Sequence, residues 1–175
     1  MKTKMLILSA LFAAVTAVFS QILIPIGPVP INLGTLAVFL AGGFLGHKYG
    51  TLSIGVYILL GVVGVPVFAG FKGGAAAITG PTGGYIIGYL FIAFIVGLAV
   101  SKSEKISLII LISAMIIGLA ICYILGTTWF IHLTGWTLKK ALMTCVVVFL
   151  PGDALKIFLA AVMVKKLKPR VEKIS

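Results

Sequence analysis

Apolar residues run through this chain in long blocks, and the polar positions that interrupt them are few and clustered. The first block, about Lys4 to Ile24, is the length of a lipid-crossing helix and stops at Pro25. Pro25-Ile26-Gly27-Pro28-Val29-Pro30 cannot continue a helix, because proline lacks the amide donor and clashes with the preceding turn. A second helix is predicted over about Ile31 to Leu45, closed by Gly46-His47-Lys48-Tyr49-Gly50. A third covers about Thr51 to Val65 and stops at Pro66, a fourth about Gly83 to Val100, and a fifth about Ile106 to Leu125. Between the third and fourth lies a glycine-rich loop, Pro66 to Gly84, with no helical pattern. So apolar a loop requires packing on protein or a cavity edge, since lipid cannot satisfy its amides.

The stretch Gly126 to Leu150 is ambiguous. Trp129 and Trp136, with Lys139 and Lys140 nearby, read as interfacial anchors. Ala141 to Leu150 is too short to span alone, which favours a short interfacial or re-entrant helix before a last span from Pro151 to near Lys165. Proline is well tolerated in a first helical turn. One long helix from Lys139, kinked at Pro151-Gly152, is the competing reading.

Composition agrees with the blocks. Of 175 residues, 61% are hydrophobic and only 10% charged, far from the balance of a soluble domain. The expected architecture is therefore an all-α membrane protein: a six-transmembrane-helix bundle forming a single domain over residues 1–175, with irregular outward-facing loops. Met1-Lys2-Thr3-Lys4 resembles the start of a secretory signal, but the apolar run beyond Gln21 marks an uncleaved first helix.

Net charge is +11, yet the cations sit in short turns and at the two ends rather than along one face. That excludes the basic stripe of a nucleic-acid binder. Six crossings put both termini on one side, together with Lys48, Lys102, Lys105 and the basic tail. The other side carries Lys72, Lys139 and Lys140. Both termini are thus expected in the cytoplasm, with the proline loop, the glycine loop and the tryptophan region on the outer face.

Few residues are equipped for chemistry. Cys122 and Cys145 form no CxxC, and His47 and His132 fall in opposite turns, so no metal site is indicated. Phosphate-loop, HExxH and nucleophile-elbow motifs are absent, which argues against an enzyme and leaves any use of ATP to another chain. Of three acids, Glu104 and Glu172 accompany basic turns, whereas Asp153 stands in the apolar Leu150-Pro151-Gly152-Asp153-Ala154-Leu155-Lys156. Lys156, three residues on, shares its helix face. An ionisable residue among spans marks function unless it is paired; a structural ion pair or an N-cap role for Asp153 is the alternative.

Gly80-Pro81-Thr82-Gly83-Gly84-Tyr85 opens the fourth helix, where free amides can hold an anion, or where glycines simply allow close packing. Tyr85, Tyr89, Phe68 and Phe71 are candidate ligand walls or ordinary packing residues. Lys72, Asn32 and Gln21 are polar groups near the same face. In the first helix Ala10/Ala14 and Ala13/Ala17 form a small-residue stripe that lets another helix approach, inside or outside the bundle.

Taken together, Gly27-Pro28-Val29-Pro30-Ile31-Asn32 with Thr35-Leu36-Ala37-Val38, Gly61 to Phe68, Gly80 to Tyr85, and Pro151 to Lys156 resemble the BioY family. This family comprises biotin-specific substrate-binding (S) components of energy-coupling factor (ECF) transporters. Where the family often has glutamine or threonine beside the second-helix motif, this chain has Asn32-Leu33-Gly34-Thr35. The resemblance implies a six-helix membrane fold that captures biotin at the outer face of a bacterial or archaeal cell membrane. It further implies partnership with a transmembrane coupling subunit and two ATPases, with no cofactor. Ligand contacts are implied for Asp153, Lys156, Gly83, Gly84 and Tyr85, joined by Thr82, Phe68, Lys72 and Asn32 as candidates. Ala10, Ala14 and Ala17 are implied to meet the coupling subunit. An S component for thiamine or riboflavin, an ion-coupled secondary transporter and a small membrane enzyme are the alternatives.

Overall fold

The computed structural model of the chain describes residues 2–25, 28–101 and 107–174. Lys102, Glu104 and Lys105 of the expected cytoplasmic turn, and Ile26-Gly27 of the proline loop, lie outside the described residues.

Helix α1 (Lys2–Gln21) ends before the expected Ile24, because Leu23–Ile24 (β1) pairs antiparallel with Ile31–Asn32 (β2) around the proline loop. A small hairpin therefore stands where an all-α reading has only irregular chain. Helix α2 (Gly34–Val62) holds the second and third expected helices, merged across Gly46. That residue has φ 74°, a conformation natural only to glycine. In a straight helix Gly50 and Gly42 would stand about 12 Å apart. Here a Cβ on Gly50 would lie 2.9 Å from Gly42 Cα, so the chain reverses at Gly46 and the two arms pack side by side.

The glycine loop contains one short helix, α3 (Ala75–Thr79), which its composition conceals. Helix α4 (Gly83–Ser101) follows the sequence pattern closely. Helix α5 (Leu108–Thr134) runs well beyond the expected Leu125 and stops at Gly135, whose left-handed φ of 67° closes the last turn. Gly126 reads as a breaker in isolation. In the fold it sits against the ring of Tyr85, with no room for a Cβ.

Next come α6 (Leu138–Leu142), a π-helical turn (Met143–Val147) and α7 (Leu150–Ile174). The chain bends by 40° between the π-helical turn and α7, so the bend precedes Pro151-Gly152.

The described residues thus hold seven α-helices rather than the six expected. Three of them, α1, α4 and α5, are long and apolar enough to cross a membrane, and the bent α6–α7 pair is a fourth candidate. Each arm of α2 is shorter than the roughly 20 residues of a simple crossing.

Small residues let the helices approach closely. Gly42 faces the Ala93 backbone, Gly88 faces Cys122 and Gly43 faces Val164, each with too little space for an added Cβ. Around these contacts Phe39, Ile54, Ile92, Val96 and Met115 are fully buried. Contacts also set directions. Ser9 bonds the Tyr49 carbonyl and Ser20 bonds Tyr57, so α1 runs parallel to the second arm of α2. The pairs Gly88/Cys122 and Gly118/Ile92 make α4 and α5 antiparallel. Lys156/Thr35 and Gly43/Val164 make α7 parallel to the first arm.

Candidate functional site

Where the β-hairpin, the glycine loop and the start of α4 meet, a cavity enters the end of the bundle. Its lining is mostly apolar and aromatic with a few convergent polar groups, the usual form of a small-molecule site. The first turn of α2, α4, α5 and α7 wall it, and Val29-Pro30 and Phe68-Ala69 cover it.

Its chemistry centres on one ion pair. Lys156 Nζ lies 2.8 Å from Asp153 Oδ1, with both residues more than nine-tenths buried. They stand three positions apart on α7 and so share one face. Lys156 also donates to Thr35 Oγ1 at 3.1 Å, and the Tyr123 hydroxyl donates to Asp153 Oδ2. Asp153 therefore does not cap its helix; both carboxylate oxygens are engaged by side chains. A buried charge pair needs such extra bonds to offset the loss of water.

An ammonium has three N–H donors, and two are engaged here; a carboxylate has about four acceptor positions, and two are engaged. One donor and two acceptor positions remain beside the cavity.

Most of the residues anticipated from sequence meet at this cavity. Asp153, Lys156, Tyr85, Thr82, Phe68, Lys72 and Asn32 all line it, as does Tyr89. Lys72 is exposed at the mouth. The Asn32 carbonyl oxygen accepts from Gly34 N at 2.8 Å and from Tyr89 OH at 3.3 Å. These bonds fix the amide's orientation and leave its NH₂ as the donating end.

Gly83 and Gly84 do not line the cavity. A Cβ on Gly83 would collide with the Ile78 carbonyl, and one on Gly84 with Trp129 and Leu125, so both serve close packing. The amides of Gly83 and Tyr85 are spent on Gly80 and Thr82 carbonyls, which removes them from an anion nest. Trp129, expected at an interface, donates its indole N–H to Gly80 O at 3.0 Å and anchors that turn. Phe71 does not line the cavity and is 72% exposed. Gln21 lies outside the lining and holds the loop backbone instead.

Sequence reasoning missed Tyr123 and the role of Thr35. A tyrosine deep in the apolar α5 was the available signal, since a buried phenol usually finds a partner. Ala10 and Ala14 are exposed on the outer face of α1, Ala17 is half-buried, and Ala13 packs inside.

A membrane-type helical bundle with an end-on apolar cavity and a buried ion pair beside it defines a small-molecule-binding membrane protein. The BioY family model matches residues 1–173, and the chain belongs to that family. A protein named biotin transporter BioY from Thermotoga maritima is 40% identical over 168 residues, covering 94% of this chain and 96% of that one. A probable biotin transporter BioY from Pyrococcus horikoshii is 42% identical, covering 96% and 98%. The crystal structure of the S-component for biotin from an ECF-type ABC transporter aligns with a TM-score of 0.87 at 35% identity, over 96% of this chain and 92% of that one.

Proposed function

We propose that this chain is the biotin-binding S component of an ECF-type importer and that Asp153 and Lys156 hold the ureido head of biotin. The observation that carries the site assignment is the leftover capacity of the ion pair. Biotin's ureido group offers two N–H donors and one carbonyl. The pair offers two open acceptor positions on Asp153 and one open donor on Lys156. Bonds to ionised groups are stronger than neutral ones, so a neutral head group is held firmly. Phe68, Tyr85, Tyr89 and Tyr57 wall the apolar ring system, while Lys72 at the mouth and the Asn32 amide are placed for the carboxylate tail.

The membrane topology belongs to the same reading. The α1 helix, the two arms of α2, α4, α5 and the α6–α7 unit make six crossings of alternating direction, a count supported by the reversal at Gly46 and by the cross-helix contacts. Lys48, exposed at the reversal, lies at the end where α1 begins. Positive charge there puts both termini in the cytoplasm and the cavity at the outer face. The chain binds and delivers, with no catalytic step and no cofactor. Energy comes from two ATPases through a coupling subunit that docks on Ala10, Ala14 and Ala17.

Purified protein should carry or bind biotin in preference to thiamine and riboflavin in a competition panel. Calorimetry should show biotin binding lost in Asp153→Asn and Lys156→Ala. Unaltered affinity in both folded variants rejects the site assignment, and preference for another vitamin rejects the ligand.

A further inference from the structure

The amide of Gln21, the last residue of α1, reaches a segment nearly fifty positions away. Its Nε2 donates to Val67 O at 3.0 Å and Phe68 O at 3.1 Å, sharing its hydrogens with Ala17 O at 3.2 Å in its own helix. Its Oε1 accepts from Phe71 N at 2.8 Å. The segment so held is a tight hairpin, in which Phe68 and Lys72 exchange backbone bonds of 2.9 and 3.1 Å. Phe68 and Lys72 line the cavity, and Gln21 does not.

The tip of this hairpin is strained. Phe71 has φ 56°, the only non-glycine residue with positive φ among the described residues. For a bulky side chain that conformation is costly. Its side chain is 72% exposed, so packing does not hold it there; the Phe68–Lys72 backbone bonds and the bond from its own amide to Gln21 do. Gly64 (φ 106°) and Gly74 (φ 88°) flank the hairpin, and their amides both donate to Gly61 O, at 3.2 and 2.7 Å, anchoring its feet to the end of α2. Strain at the tip, anchored feet and one side-chain amide joining the tip to a rigid helix together describe a latch.

We infer that Gln21 is a positioning residue that latches the Phe68–Lys72 hairpin over the cavity, against the strain stored at Phe71, and so sets how long the ligand stays. The kinetic half of this inference rests on the biotin reading above; the latch itself does not.

Two measurements test it on the full-length protein in detergent. Biotin release from Gln21→Ala should be about tenfold faster than from wild type, with association within about twofold, as for loss of shared hydrogen bonds on the closed side alone. Asparagine tolerates the left-handed region, so Phe71→Asn should release about threefold more slowly. A merely structural role for Gln21 would depress association as well and would give no opposite sign at Phe71. Without ligand, Gln21→Ala should raise hydrogen exchange at least fivefold in a peptide covering 66–74 and leave α4 and α5 unchanged. Asp153→Asn should weaken biotin without altering that exchange.

Wild-type release and exchange in Gln21→Ala overturn the latch, as does faster release from Phe71→Asn. If Gln21→Ala does not fold, the sign of the Phe71→Asn effect decides. If wild type binds no biotin, the proposed ligand falls and the exchange comparison decides the latch.

Discussion

Lys156 donates to Thr35 at 3.1 Å across 121 positions of sequence, fastening the last helix to the first turn of α2. The same ammonium neutralises Asp153, so one side chain ties two helices together and balances the charge inside the cavity. A site of this kind responds sharply to the loss of any single member, and its members respond differently.

Removing Lys156 alone leaves a buried carboxylate without its counter-ion. Lys156→Met should lower stability by about 3–5 kcal/mol, whereas Lys156→Met with Asp153→Leu should recover most of that loss while biotin binding stays absent. Thermal unfolding beside calorimetry on both variants checks it; equal instability of single and double variants contradicts it.

Tyr123 lines the cavity and donates to Asp153 Oδ2. Tyr123→Phe should weaken biotin binding by about tenfold, the scale of one bond to a charged group. In the Asp153→Asn background the same change should have little further effect. A double-mutant cycle measures the coupling, and additive losses would count against it.

Gly61 leaves room for the Phe68 ring and nothing else, since a Cβ there would stand 2.0 Å from Phe68 Cζ. Gly61→Ala must displace that cavity wall, with a cost of about 1–3 kcal/mol in stability and a matching fall in biotin affinity. Gly61→Ala with Phe68→Leu should restore part of both. Titration of the pair against the single variant decides whether the ring is the cause.

Neighbouring alanines on α1 should behave oppositely. Ala14 is exposed, so Ala14→Leu should fold and bind biotin normally but fail to co-purify with a coupling subunit. Ala13 is only 2% exposed, and Ala13→Leu should lose stability by about 1–3 kcal/mol through overpacking. Retained co-purification of Ala14→Leu would sink the docking assignment.

Much of the bundle was legible because lipid imposes a simple rule. A crossing helix needs an uninterrupted apolar run, and Gly83–Ser101 shows one. Helix α5 passes its expected end at Leu125 and continues through Gly126 and Thr127. In the fold Gly126 accommodates Tyr85, and Thr127 bonds its hydroxyl at 2.9 Å. The glycines before Tyr85 likewise looked like a ligand loop and turned out to be packing positions. Local spacing cannot distinguish a glycine that admits a ligand from one that admits a neighbouring helix.

By itself the sequence determined the class of molecule, its apolar segments, the isolation of Asp153 and Lys156 in one of them, and the motifs shared with the BioY family. Each is a local property, set by how a short run of side chains partitions between water and lipid. Only the tertiary structure decided that the chain reverses at Gly46, that Tyr123 and Thr35 complete the ion pair, and that Gln21 grips the hairpin over the cavity. Those relationships join residues dozens of positions apart, and they exist only once packed helices have set the distances between them.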